Sequence, residues 1–73
     1  MHMFDEPLFR YMVNRRQLSL ADVADRMGVN EATLYRKMKG KSDFTRAEIQ
    51  NLKNILDMSN DESLKVFFAE KLT

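Results

Sequence analysis

The side chains best suited to chemistry in this sequence are cations, and they are concentrated in one short segment. Residues 35–46 hold five basic side chains and one acidic side chain, so five minus one gives the segment a net charge of +4. Its basic residues are Arg36, Lys37, Lys39, Lys41 and Arg46, and its acidic residue is Asp43. Clustered lysine and arginine side chains attract phosphate, which indicates a nucleic acid partner, although a solvated surface carries such clusters too.

Nucleophilic and metal-ligating side chains are scarce. The chain of 73 residues has no cysteine, and its one histidine is His2 at the N-terminus. Neither a histidine–cysteine nucleophile system nor a thiolate metal site can be assembled from this set, and the carboxylates stand at helix starts, where capping explains them. We therefore predict no enzymatic activity, no metal site, no cofactor and no small-molecule ligand.

The length and the hydropathy pattern predict one small domain without a membrane segment. A chain of 73 residues can bury one hydrophobic core, so we expect a single domain over 1–73. The apolar run at 66–69 is too short to cross a bilayer, and the N-terminus lacks the pattern of a signal peptide. We expect a cytoplasmic protein.

Apolar residues recur every three or four positions, and the alternation typical of strands is missing. This periodicity predicts an all-α fold without a sheet. The expected helices cover about 6–16, 20–27, 31–39, 46–57 and 60–71. The same spacing assigns to the core Phe9, Met12, Val13, Val23, Ala24, Met27, Leu34, Met38, Ile49, Leu52, Ile55, Leu56, Leu64, Phe67 and Phe68.

Capping residues mark the predicted helix starts. Thr45 and Glu48 have the spacing of a capping box, in which each side chain bonds the backbone amide of the other. Phe44 and Ile49 flank this box as a hydrophobic staple. Ser19 and Asp22 form a similar but weaker box, with aspartate in the place of glutamate. Caps also precede helices three and five, at Asn30 and Ser59.

A glycine separates the second and third predicted helices. Gly28 can adopt the positive φ angle that a sharp helix exit needs, and only one residue, Val29, stands between it and the cap of the next helix. Helix, tight turn and helix make up the helix-turn-helix unit. Small Ala24 suits a close approach of two backbones, and Leu34 ties the third helix to the core. An ordinary helical hairpin is the alternative.

The stretch LSLADVADRMGVNEATLYRKMKGK resembles the Cro and repressor type of helix-turn-helix domain, in particular small Cro-like regulators of phages and mobile elements. The resemblance covers roughly 8–57 and includes GKSDFTRAEIQNLKNIL, a polar and basic loop that leads into a capped fourth helix. It implies a five-helix bundle of the lambda-repressor-like type. It also implies a sequence-specific transcriptional regulator that binds double-stranded DNA in the cytoplasm of a bacterial or phage-infected cell.

In that family the helix after the turn lies in the major groove, which here is the helix at about 31–39. The resemblance assigns base contacts to Glu31, Ala32 and Arg36. It assigns phosphate or mixed contacts to Asn30, Thr33, Tyr35, Lys39, Lys41, Ser42 and Arg46. Capping or plain surface roles remain open for several of these residues.

Two positions depart from the family pattern. The family often has glutamine or another polar residue, which touches phosphate, at the first position of helix two, and this chain has Leu20 there. Gln17 stands where a glycine is common between helices one and two. The phosphate contact of helix two and the geometry of that first turn are therefore in question.

The last helix offers a surface for a second copy. If Leu64 and Leu72 help to seal the core, Val66 lies off the buried face, and adjacent Phe67 and Phe68 cannot both point inward. This arrangement predicts a homodimer, at least on DNA, with Val66, Phe67 and Phe68 at its interface. The rival interpretation of the whole chain is a helical protein-interaction module such as an antitoxin or antirepressor.

Overall fold

Five helices make up most of the chain in the computed structural model, which describes residues 2–70. They are α1 (Glu6–Arg15), α2 (Leu20–Met27), α3 (Glu31–Met38), α4 (Arg46–Ile55) and α5 (Asn60–Phe67). The predicted helical class and the number of helices are confirmed within these residues. The expectation of no sheet needs a small correction. Two-residue strands β1 (His2–Met3) and β2 (Ala69–Glu70) form an antiparallel pair.

Four helices end before their predicted last residues, and the backbone gives the reason at two of them. Asp57 adopts a left-handed φ of 51°, which stops α4 at Ile55 rather than at 57. Phe68 leaves the helical region with φ −132° and ψ 37°, so α5 ends at Phe67 and the chain continues into β2. The predicted extension of α5 to residue 71, and Leu72 as a core residue, lie outside the described residues.

Local side-chain hydrogen bonds fix every helix start. Closed capping boxes join Thr45 to Glu48 and Ser19 to Asp22, as the sequence predicts. The Ser59 cap also closes into a box, through Glu62. Because each box satisfies two backbone amides that would otherwise lack partners, the sequence limits where each helix can begin.

A cluster of four phenylalanine rings lies at the centre of the bundle. Phe4 precedes α1, Phe9 lies on α1, Phe44 precedes α4, and Phe67 lies on α5. Their ring centroids are 5.1 to 6.4 Å apart, in tilted and edge-on arrangements. Such pairs stabilise a core beyond the area they bury. The cluster therefore holds the segment before α1, the start of α4 and the end of α5 against α1.

The buried face of α5 differs from the predicted face. Ser63, Val66 and Phe67 point into the core, whereas Leu64 and Phe68 are 55% and 47% exposed. The predicted stripe failed because Ser63 looks like a surface residue in the sequence. Its hydroxyl is satisfied inside the fold by donating to the Asn60 carbonyl at 2.9 Å. The buried face of α5 therefore contains a polar residue, and the sequence prediction placed the wrong side of this helix in the core.

The register of α5 can be tested by comparing two truncations on this helix. Val66→Ala should lower the free energy of unfolding by about 2 kcal/mol, because Val66 is fully buried and the change leaves a cavity. Leu64→Ala removes more carbon atoms but should change it by about 0.5 kcal/mol or less, because Leu64 is exposed. Urea unfolding of both variants gives the comparison. A larger loss for Leu64→Ala would contradict the described register.

A bidentate ion pair joins the end of α1 to the start of α5. Arg15 Nη1 lies 2.6 Å from Glu62 Oε2, and Arg15 Nη2 donates to Glu62 Oε1 at 3.3 Å. Nη2 also donates to the Asp57 carbonyl at 3.2 Å, beyond the end of α4. The Arg15 guanidinium, together with the Ser59 amide, lowers the pKa of Glu62 to about 2. One arginine therefore connects three helices.

The lowered pKa of Glu62 predicts how stability depends on pH. Because folding depresses this pKa, its contribution to stability is present above the unfolded value near 4.5 and is lost as pH falls toward about 2. Urea unfolding at pH 6 and at pH 3 should show a smaller difference for Glu62→Gln than for the wild-type chain. Glu31→Gln is the control and should keep the wild-type difference. An unchanged pH dependence in Glu62→Gln would contradict the role of this pair.

Candidate nucleic acid interface

A three-residue turn separates α2 from α3. Gly28 has φ +77°, in the left-handed region, and its amide donates to the Asp25 carbonyl at 3.0 Å. The Val29 amide donates to the Ala24 carbonyl at 3.0 Å, and Asn30 Oδ1 accepts from the Thr33 amide at 2.8 Å. The predicted break at Gly28 and the predicted cap at Asn30 are confirmed. The two helices consequently leave the turn in different directions.

Two buried side chains decide which face of α3 points outward. Leu34 and Met38, one turn apart, are 0% and 4% exposed, and Ala24 of α2 is buried beside the turn. These contacts place the opposite face of α3 in solvent. The exposed residues of α3 are Glu31, Ala32, Tyr35 and Arg36, and Lys39 follows directly at its C-cap.

The three residues assigned to base contacts are all exposed on α3. Within residues 2–70 the Glu31 side chain makes no hydrogen bond or ion pair, and it lies in the first turn of α3, where an acidic side chain also favours the helix start. Arg36 Nη2 donates to Thr33 Oγ1 at 3.3 Å, a long hydrogen bond to a neutral partner. Ala32 lies one turn before Arg36. The fold thus leaves an acid, a methyl group and a guanidinium accessible on α3, with Ala32 and Arg36 opposite the buried face and Glu31 at its flank.

The basic side chains have different local partners. Lys37 is nearly buried and contacts Glu48 Oε1 at 3.2 Å, and it donates to the Asp43 carbonyl at 2.9 Å. Partial burial opposes the charge of Glu48, but the Thr45 amide and the Lys37 ammonium together lower its pKa. Lys37 therefore holds α3 against α4, and the sequence pattern did not distinguish it from the surface cations.

Lys41 and Arg46 remain accessible. The Lys41 amide donates to the Arg36 carbonyl at 2.9 Å after left-handed Gly40, which holds the basic loop against the end of α3. Among the described residues the side chains of Lys41 and Arg46 make no hydrogen bond or ion pair, and Ser42 between them is exposed. Lys41 and Ser42 follow the C-terminal end of α3, whereas Arg46 begins α4 and lines a hollow between α4 and α5.

The positive charge of this surface is smaller than the sequence indicates. Lys37 pairs with Glu48, and Lys39 pairs with Glu6 of α1. Adding these two carboxylates to the +4 of residues 35–46 leaves +2. The net charge of the segment together with its two paired carboxylates is therefore half of the net charge of the segment alone.

Helix α1 also reaches this surface, which the sequence analysis missed. Arg10 and Asn14 line an open hollow of about 380 Å³ together with Glu31 and Tyr35 of α3. Glu6 and Arg10 are four positions apart, which predicts that they pair with each other, because i and i+4 side chains meet on a helix. No local pattern predicts that α1 lies beside α3.

The two departures from the family pattern have visible consequences. Leu20, the first residue of α2, is half-buried and packs against the core, so it offers no polar group to a phosphate. Gln17 adopts a left-handed φ of 57°, the region that favours glycine. The turn therefore keeps the backbone shape that glycine suits, although the residue is glutamine.

The predicted dimer surface needs correction. Val66 is fully buried and Phe67 is 8% exposed, so neither side chain is available to a second copy. Of the three predicted residues, Phe68 alone is exposed, and Leu64 lies one turn before it. A hollow of about 700 Å³ between α4 and α5 and another of about 480 Å³ toward α1 both border these two residues. The exposed apolar surface of α5 is thus Leu64 and Phe68.

Comparisons with protein-family models, with curated proteins and with solved structures find no match. No helix within residues 2–70 is long and apolar enough to cross a membrane.

Proposed function

We propose that this chain is a sequence-specific, double-stranded DNA-binding transcriptional regulator of the Cro/repressor type, with α3 as its recognition helix. One observation carries the proposal. A short, capped helix follows a glycine turn, is anchored by Leu34 and Met38, presents Ala32 and Arg36 on the opposite side, and keeps Glu31 exposed at its start. The function is binding, and it requires neither a catalytic group nor a cofactor.

The dimensions and chemistry of α3 suit the major groove. An α-helix with its side chains is about 10–12 Å across, and the major groove is about 12 Å wide. In the groove, Arg36 donates two hydrogen bonds to guanine, Ala32 contacts a thymine methyl group, and Glu31 accepts from the amino group of cytosine. These contacts would supply sequence discrimination.

The residues around α3 are suited to phosphate. Lys41 and Ser42 follow its C-terminal end, Arg46 begins α4 after the basic loop, and Asn30 and Thr33 lie at its N-terminal end. Asn30 uses its carbonyl oxygen for the cap, which leaves its amide hydrogens for a phosphate. Tyr35 is 36% exposed beside the hollow against α1, and its hydroxyl can donate to a phosphate there. Such contacts orient a protein on DNA without distinguishing sequences.

A homodimer on DNA completes the proposal, with a revised interface. One recognition helix reads only a few base pairs, and two units on half-sites about one helical turn apart gain affinity and specificity. Leu64 and Phe68 replace Val66 and Phe67 as the apolar contact, because they are the exposed pair on α5. Such a regulator would act in the cytoplasm of a bacterial or phage-infected cell.

The second candidate is a protein-interaction module such as an antitoxin or antirepressor. It is favoured by the exposed Leu64 and Phe68 beside the hollow of about 700 Å³, and by the moderate charge of +2 around α3. In this case α3 would support the fold without entering DNA.

Selection from random duplexes, followed by binding at two salt concentrations, separates the two candidates. A DNA-binding regulator should enrich one sequence and lose affinity steeply with salt, because bound phosphates release counterions. Two inverted half-sites about one helical turn apart would support the dimer. Binding without an enriched sequence, or no binding at low salt, would favour the protein-partner candidate.

Replacing Arg36 by alanine and replacing Lys41 by alanine should weaken DNA binding in different ways. Arg36→Ala should cost about 1–3 kcal/mol on the selected site and relax the preference at one base pair, because its partner is a base edge. Lys41→Ala should weaken every duplex similarly and reduce the salt slope by about one, because its partner is a phosphate. Titrations of both variants on matched and mutated sites give the comparison, and identical profiles would contradict this assignment.

A further inference from the structure

Glu6 connects α1 to the end of the proposed recognition helix. Its Oε1 accepts from Lys39 Nζ at 3.0 Å, and its Oε2 accepts from Lys39 Nζ at 3.2 Å and from Arg10 Nε at 3.0 Å. Lys39 is separated from Glu6 by 33 residues in sequence, whereas Arg10 lies one turn farther along α1. One carboxylate therefore occupies two cations from two helices.

This cluster is accessible to solvent. The Lys39 side chain is 55% exposed, the Arg10 side chain 45% and the Glu6 side chain 25%. Hydrogen bonds from Lys39 and Arg10 lower the pKa of Glu6, so it is ionised at neutral pH. Exposed ion pairs contribute about 0–1 kcal/mol to stability. The cluster is thus too weak to be required for folding.

The chemistry of the cluster is that of an occupied phosphate site. A carboxylate and a phosphate both present negatively charged oxygen acceptors to lysine and arginine donors. Lys39 lies at the C-cap of α3, and Arg10 lines the hollow that also contains Glu31 and Tyr35. DNA lying along α3 would therefore bring its backbone to the cations that Glu6 already holds.

We infer that Glu6 is an intramolecular competitor of DNA phosphate, which limits affinity by occupying Lys39 and Arg10. The inference rests on the proposed function and extends it, because it adds Arg10 of α1 as a phosphate contact and gives the chain a residue that restrains sequence-independent binding. Glu6 and phosphate compete for the same two cations in the complex, so the wild-type chain makes these phosphate contacts only in part, and Glu6 remains as a nearby negative charge.

Two opposing effects decide whether a substitution of Glu6 strengthens or weakens DNA binding. Loss of Glu6 removes weak ion pairs that help to position Lys39 and Arg10, which is a small cost. It also releases one or two cations for phosphate, and each additional phosphate contact steepens the salt slope by about 0.9, or about eightfold in affinity per tenfold change in salt. The second effect is larger at low salt, so binding should become tighter.

The test compares Glu6→Gln with Asp61→Asn on one selected duplex, titrated from about 0.05 to 0.3 M salt. Both variants raise the net charge by one, but exposed Asp61 lies beside Glu62, which contacts the opposite end of α1. Glu6→Gln should bind several-fold more tightly at the lowest salt, with a slope steeper by about 0.9 to 1.8. Asp61→Asn should keep the wild-type slope.

A second set of variants tests whether the effect passes through the two cations. In a chain carrying Arg10→Ala and Lys39→Ala, the further change Glu6→Gln should leave the slope unchanged. Thermal unfolding of each variant checks that all of them are folded at the temperature of the titration. A persistent gain in the double-alanine background would overturn the inference.

The outcomes separate this inference from the proposed function. If the wild-type chain binds the duplex with a salt-dependent affinity and Glu6→Gln is no tighter than Asp61→Asn, Glu6 is only a structural link and the inference fails alone. If neither the wild-type chain nor any variant binds duplex DNA at the lowest salt, the proposed function fails and the inference fails with it.

Discussion

The position of α3 depends on the backbone conformation of one residue, Gly28. Its φ of +77° turns the chain out of α2 within a single residue, and a side chain in that conformation costs about 1–2 kcal/mol. A Cβ built at this position would meet no atom within 4 Å, so the constraint comes from the dihedral angle and not from crowding. Everything proposed for the outward face of α3 follows from this turn, because it sets the direction from which Leu34 and Met38 anchor the helix.

Electrostatics on this surface are organised by pairing rather than by the number of cations. Lys37 is held by Glu48, whose carboxylate also completes the capping box of α4, so one acid contributes to both a helix start and a helix–helix contact. Lys39 is held by Glu6, whereas Lys41 and Arg46 have no side-chain partner among the described residues. Basic side chains a few positions apart therefore differ before any ligand binds, because some are paired with a carboxylate and others are not.

Local patterns predicted the parts of the fold that depend on local physics. The boxes at Thr45 and Ser19, the cap at Asn30 and the break at Gly28 involve residues at most four positions apart, and all four are found. The face of α5 was wrong because Ser63 satisfies its hydroxyl on its own helix, so its polarity did not indicate exposure. The contact of Glu6 with Lys39 joins distant parts of the chain, and no periodicity contains that information. For the site, the sequence predicted the outward residues of α3 but not the contribution of α1.

The first and last described segments of the chain meet beside α1 and α5. The Asp5 amide donates to the Val66 carbonyl at 2.8 Å, and the Phe4 ring contacts the Phe67 ring. Loop closure over such a separation costs conformational entropy before any contact compensates for it. The capped helices and the α2–α3 turn need only local contacts and can form earlier. The structure therefore implies an order of assembly, in which the half that contains the α2–α3 turn forms before the closure that joins the first and last described segments.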